Sequence, residues 1–141
     1  MKTLLDAGPL VSILNTEDAH HEWAVHHARR LDAPFLTCEA VLSEAHFLLQ
    51  DTPGGRRRLI EIAESDQLQV PFSYAHHAGR VNELMRTYSD LPMSFADACL
   101  VRMAELYDDG RVFTVDSDFR VYQKHGRDPI PVLMPDEQSS P

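Results

Sequence analysis

An alternation constrains this chain more than any other feature: short apolar runs of a few residues are separated by longer stretches with helical spacing. Lys2-Thr3-Leu4-Leu5 is such a run and reads as a buried strand ending at Asp6. Gly8-Pro9 then turns the chain into a helical stretch, Leu10 to Leu14. Thr16 or Asp18 can cap the next helix, whose Trp23, Ala24, His27, Ala28 and Leu31 recur at spacings of one, three and four. Pro34 to Thr37 suggests a second strand. A helix from Glu39 to Gln50 follows, with Val41, Leu42, Ala45, Leu48 and Leu49 on one face. After the Pro53-Gly54-Gly55 break, Arg56 to Ser65 reads as a helix, Gln67 to Val70 as a half-buried strand and Ser73 to Tyr88 as a helix. Ser94 opens another helix, running to about Tyr107. Arg111 to Val115 is a strand, Asp116 to Lys124 a short helix, and Ile130 to Leu133 a proline-limited edge strand.

Strands alternating with helices in this way predict an α/β sandwich on a mostly parallel central sheet of about five short strands. Such sheets bind ligands beyond the carboxyl ends of their strands. At 141 residues, with no internal repeat or linker, the chain fits one domain over 1–135, and 136–141 reads as a disordered tail. No apolar run is long enough to cross a membrane, and the N-terminus meets an acid too early for a secretory signal, so the cytoplasm is expected. Cys38 and Cys99 lie far apart in helical patterns and read as free, buried thiols. The net charge of −9 excludes a general basic field of the kind that grips nucleic acid. Either the chain does not act on nucleic acid, or its acids are crowded into a site that expects cations.

The acids fall in suggestive places. Asp6 ends the first strand and Asp116 follows the Phe113-Thr114-Val115 strand, so a parallel sheet puts both at its carboxyl edge. Asp97 sits in the first turn of the helix opened by Ser94, and Glu44 midway along the third helix. Four converging carboxylates repel one another unless cations lie between them, and oxygen-only donors select hard ions such as magnesium or manganese. Paired ions of that type can activate a water and steady the leaving oxygen of a phosphodiester. Each acid also has a structural reading: Ser94-Phe95-Ala96-Asp97 is a capping-box pattern, Asp116 and Asp6 can cap helices, and Glu44 can be a solvated boundary residue.

The local contexts carry a family resemblance. Leu4-Leu5-Asp6-Ala7-Gly8-Pro9-Leu10, with Glu44 in Ala40-Val41-Leu42-Ser43-Glu44-Ala45, resembles the opening of a PIN domain. Leu91 to Ala98, with Asp97, and Thr114-Val115-Asp116-Ser117-Asp118-Phe119 resemble that family's third and fourth acidic motifs. Order, spacing and length agree over nearly the whole chain, and the compact size looks like the VapC-like toxin ribonucleases. The resemblance implies a metal-dependent endoribonuclease with Mg2+ or Mn2+ held by Asp6, Glu44, Asp97 and Asp116. Thr114 would orient the loop, and Asp118 would stand near as a supporting or substitute acid. It further implies an RNA substrate, a cognate antitoxin protein and a homodimer. One departure is Ala7, where many relatives carry a Ser or Thr after the first Asp.

The remaining features are weaker. Arg56-Arg57-Arg58 is the only basic run; at a helix start it opposes the dipole, and it reads as a solvated face or an RNA phosphate contact. The His20-His21, His26-His27 and His76-His77 doublets point to different sides of a helix and read as surface histidines. Trp23, Tyr74, Tyr88 and Tyr107 read as core, without a platform for stacking bases. Two rival readings stand: a nuclease of the same fold acting on structured DNA or in RNA maturation, and a non-catalytic module that binds a metal or a protein. The presence of all four acids argues against the second.

Overall fold

The computed structural model describes residues 1–135; the expected tail at 136–141 lies outside the described residues. Five short strands form one sheet: β1 (Lys2–Leu5), β2 (Phe35–Leu36), β3 (Leu68–Gln69), β4 (Gly110–Phe113) and β7 (Val132–Leu133), in the spatial order β3-β2-β1-β4-β7. Every pairing in it is parallel. Thr3, Leu4 and Leu5 of β1 are all buried, as expected of a central parallel strand covered on both faces by helices. Leu4 pairs with Leu36 on one side and Val112 on the other, and the ladder runs one step further through Asp6 N–H to the Phe113 carbonyl at 3.0 Å.

The helices are α1 (Ala7–Leu14), α2 (His21–Ala28), α3 (Glu39–Leu48), α4 (Gly55–Ala63), α5 (Tyr74–Thr87) and α6 (Phe95–Leu106). The first three strands step outward from β1 to β3. The long connection through α5 and α6 then returns the chain to the opposite side of β1, where β4 adds. The strand order therefore reverses between β1 and β4, and the crevice beyond their carboxyl ends is where such a sheet binds ligands. Nine of the twelve residues of α6 are buried, Asp97 and Glu105 among them, so this helix is packed nearly all round. Cys38 and Cys99 are free and buried.

Differences from the sequence reading have local causes. The first helix starts at Ala7 rather than after Pro9, because Asp6 caps it and a proline is harmless in a first turn whose N–H groups lack helical partners anyway. Neither Thr16 nor Asp18 caps α2 itself; the Asp18 carboxylate accepts from His20 N–H and Ser12 Oγ, fixing the turn before it. The expected helix over 116–124 is a single 3-10 turn, Ser117–Arg120, followed by a hairpin of β5 (Gln123–Lys124) and β6 (Asp128–Pro129). His125 and Gly126, both at positive φ, make the turn of that hairpin. Tyr74 is 38% exposed, not core.

Candidate active site

Asp6, at the carboxyl end of β1, is 6% exposed and both its oxygens are held. Oδ1 accepts from Ala7 N–H at 2.8 Å, starting α1, and Oδ2 accepts from the Thr114 hydroxyl at 2.7 Å. Thr114 is fully buried, and its Oγ1 also accepts from Asp116 N–H at 2.9 Å. One hydroxyl thus ties the acid after β1 to the acid after β4. The Asp116 Oδ1 in turn accepts from Asp118 N–H at 2.9 Å and caps the 3-10 turn, which places Asp118 beside it.

Asp97 is 5% exposed at the third position of α6. Ser94 and Asp97 make the capping box in both directions: Asp97 N–H donates to Ser94 Oγ at 3.0 Å, and Ser94 N–H donates to Asp97 Oδ2 at 3.3 Å. The same Oδ2 accepts from the Tyr122 hydroxyl at 3.1 Å. The structural reading of Asp97 and its role in an acidic pocket are therefore compatible, since the cap uses one oxygen only. Glu44 stands exposed on α3 and completes the group.

Electrostatics link the four. Burial pushes the Asp6 carboxyl up to about 7, opposed by the Thr114 and Ala7 hydrogen bonds and reinforced by the charges of Asp97 and Glu44. Burial likewise raises Glu44, with Asp97 and Asp116 adding to it. Asp97 is raised by burial and by Asp116, against its hydrogen bonds from Ser94 and Tyr122. Asp118 is raised by burial and by Asp116. These carboxylates share one field, and ionising all of them together is costly without a counter-ion.

Whether the residues suit a divalent ion follows from their free lone pairs. Asp97 Oδ1, Asp116 Oδ2 and both Glu44 oxygens receive no hydrogen bond from the described residues. An all-carboxylate donor set with unused oxygens matches the preference of magnesium and manganese. Among the described residues, no three His, Cys, Asp or Glu side chains are gathered closely enough to cage an ion as they stand. Mutual repulsion among carboxylates without a cation favours that spacing. The donor chemistry, carboxylate oxygens alone, is of the kind a hard cation takes.

The basic run lies elsewhere. Arg56 Nε donates to the His46 carbonyl in the last turn of α3, and Arg58 Nη2 donates to the Leu14 carbonyl at the end of α1. A run that opposes its own helix dipole is thus matched to the negative ends of two others. Arg57 pairs with Glu61 on the surface. Tyr122, fully buried, escaped the sequence reading. Its spacing of three from Phe119 within an apolar turn was the available signal that it faces inward with the core.

No family model and no curated protein matches the sequence. Among solved structures, the chain resembles VapC20 of Mycobacterium tuberculosis, described as a toxin that cleaves the sarcin–ricin loop. The two superpose with a TM-score of 0.74 at 20% identity, over 85% of this chain and 94% of that one. The fold is that of a VapC-like PIN domain. In this PIN-like fold the acids Asp6 and Asp116 flank the point where strand order reverses, with Asp97 and Glu44 brought to it from α6 and α3.

Proposed function

We propose that this chain is a metal-dependent endoribonuclease that hydrolyses RNA phosphodiester bonds and serves as the toxin of a toxin–antitoxin pair. One observation carries the reading: four carboxylates from four separate elements share one electrostatic field at the strand-order reversal of a PIN-like sheet. A purely structural role for all four is disfavoured, because burial, with their mutual charges adding to it, raises three of them above their ordinary range.

Asp6, Glu44, Asp97 and Asp116 would hold Mg2+ or Mn2+. When bound, the ion neutralises phosphate charge and lowers the pKa of a water at the scissile bond. Thr114 fixes the direction of the Asp6 carboxylate and the path of the backbone into Asp116. Tyr122 and Ser94 hold one Asp97 oxygen and leave the other without a hydrogen bond among the described residues. Asp118 stands by as a supporting acid. Arg56, Arg57 and Arg58 keep a secondary part in RNA contact, limited by the carbonyl partners of Arg56 and Arg58. A cationic antitoxin suits a cleft of this charge, and a homodimer and a cytoplasmic location complete the proposal. No helix among the described residues is long and apolar enough to cross a membrane.

The test is cleavage of a mixed RNA pool with Mg2+ or Mn2+, then with EDTA, beside Asp97→Asn. Metal-dependent cutting that disappears in the variant supports the reading. Cutting by the variant at the wild-type rate would refute the site. Binding of divalent ions without any cutting would favour a non-catalytic metal-binding module.

A further inference from the structure

Glu44 belongs to a second feature. Between α3 and the start of α6 runs an open groove whose walls include Glu44, Phe47 and Phe95, with the hydroxyls of Ser43 and Ser94 along it. Phe47 is 61% exposed and Phe95 43%. Phe47 lies three residues after Glu44, hence on the same face of α3, and Phe95 lies two residues before Asp97. Tyr74 packs edge-on against the Phe95 ring, with centroids 5.0 Å apart at 69°, and donates its hydroxyl to Asn82 Oδ1 at 2.9 Å. The Phe95 ring is therefore braced by a side chain that is itself anchored.

Charge decides what such a groove can hold. At −9 the chain offers phosphates little general attraction, so an RNA positioned at the acids needs a grip that is not ionic. Every nucleobase has a neutral π-face, and aromatic side chains hold unpaired bases by stacking. Because Glu44 is a wall of both the groove and the acidic pocket, a strand whose phosphate lies at the acids has a neighbouring base within reach of Phe47 and Phe95. A second copy docked here about a two-fold axis would instead enclose the Glu44 carboxylate in a lining that offers it no cation. We propose that the groove between α3 and α6 is a nucleobase subsite, stacking an unpaired base of single-stranded RNA on Phe95 and Phe47 beside the phosphate held at the acids. The Ser43 and Ser94 hydroxyls supply polar contacts at the base edge. This subsite rests on the nuclease reading for its choice of ligand.

The experiment uses single-stranded RNA heptamers with 2-aminopurine at one position each, mixed with protein in Mg2+ and followed by stopped-flow fluorescence before any cutting. Wild type is compared with Phe47→Leu, Phe95→Leu and Phe95→Tyr. The same preparations are assayed for cleavage of the RNA pool and for mass by sedimentation. The expected result is position-specific quenching by wild type and Phe95→Tyr, with affinity about tenfold weaker in each leucine variant, the measure of one lost stack. In cleavage, that loss lies in KM with kcat nearly unchanged. Leucine variants that bind and quench like wild type overturn the subsite. So does a change from dimer to monomer at unaltered RNA affinity, which would assign the groove to a second copy. If wild type cuts and the variants match it in KM, the subsite fails while the nuclease reading stands. If wild type stacks a base but cuts nothing, the nuclease reading fails and the subsite stands.

Discussion

Asp6→Asn should make the metal-free protein more stable while abolishing the proposed cleavage. In the folded chain the Asp6 carboxyl titrates at about 7 against an ordinary 3.8, chiefly because it is buried. Above pH 7 it is ionised in both the folded and unfolded states, so the whole difference opposes folding. About three pH units correspond to about 4 kcal/mol. The amide has one acceptor where the carboxylate has two, so either Ala7 N–H or the Thr114 hydroxyl must find a new arrangement, at a cost of about 1 kcal/mol. The net gain of the variant at pH 8 in EDTA is then about 2–3 kcal/mol, or roughly 5–10 °C in Tm for a domain of this size. Thermal unfolding from pH 8 to pH 4 checks it. The penalty on wild type is absent below about pH 4, where Asp6 is protonated in both states, and grows as pH rises toward 7. The advantage of the variant should therefore shrink as pH falls and vanish near pH 4. Added Mn2+ should raise the Tm of wild type and leave that of the variant unmoved. A variant less stable than wild type at pH 8, or a difference independent of pH, would refute the argument that burial and neighbouring acids strain this carboxyl.

Thr114→Val keeps the shape of the side chain but removes the donor to Asp6 and the acceptor for Asp116 N–H. We expect a loss of about 1–3 kcal/mol in urea unfolding and roughly a tenfold rise in the metal concentration for half-maximal cleavage. Glu105→Ala removes a carboxylate, 1% exposed at its side chain, that binds Arg80, Arg102 and the His125 N–H, and it should cost about 3–5 kcal/mol. Burial raises the Glu105 carboxyl, but the arginines and the His125 N–H outweigh it and hold it below the usual range. Its contribution is thus present above pH 4.5 and lost as pH falls through its folded value, so the gap to wild type should narrow in acid. Gly8→Ala would put a Cβ 2.5 Å from Val115 Cγ2, against a stiff side chain next to Asp116. A destabilisation of about 1–3 kcal/mol, relieved in the Gly8→Ala/Val115→Ala double variant, is expected in thermal melts.

The strands and the acids at their ends were legible because both follow from local pattern: Lys2–Leu5 and Gly110–Phe113 are apolar runs that stop at polar residues, and a parallel sheet puts those stops on one edge. The capping box at Ser94 was legible for the same reason. What the pattern could not carry was contact between distant segments. Nothing local to Arg56 or Arg58 says that carbonyls at the ends of α3 and α1 await them. Glu105 reads as an ordinary surface acid of a helix until α5 supplies Arg80. A helix read over Asp116 to Lys124 overruns the first strand of the hairpin, Gln123–Lys124, because a two-residue strand is too short to show a period. Phe47, on the Glu44 face of α3, and Phe95, at the start of α6, are large apolar side chains whose exposure only the packing reveals.

The hydrogen bond from Thr114 to Asp6 joins residues 108 positions apart. While the chain is being synthesised, the first acid of the site is made 108 residues before its clamp. No segment shorter than the stretch from Asp6 to Asp116 contains all four acids, and β1 lacks one of its two sheet neighbours until β4 emerges. A chain interrupted in translation, or clipped anywhere between α3 and β4, yields pieces none of which can assemble the pocket alone. The topology thus lets the pocket form only once β4 has joined β1, and whatever activity the acids confer begins there.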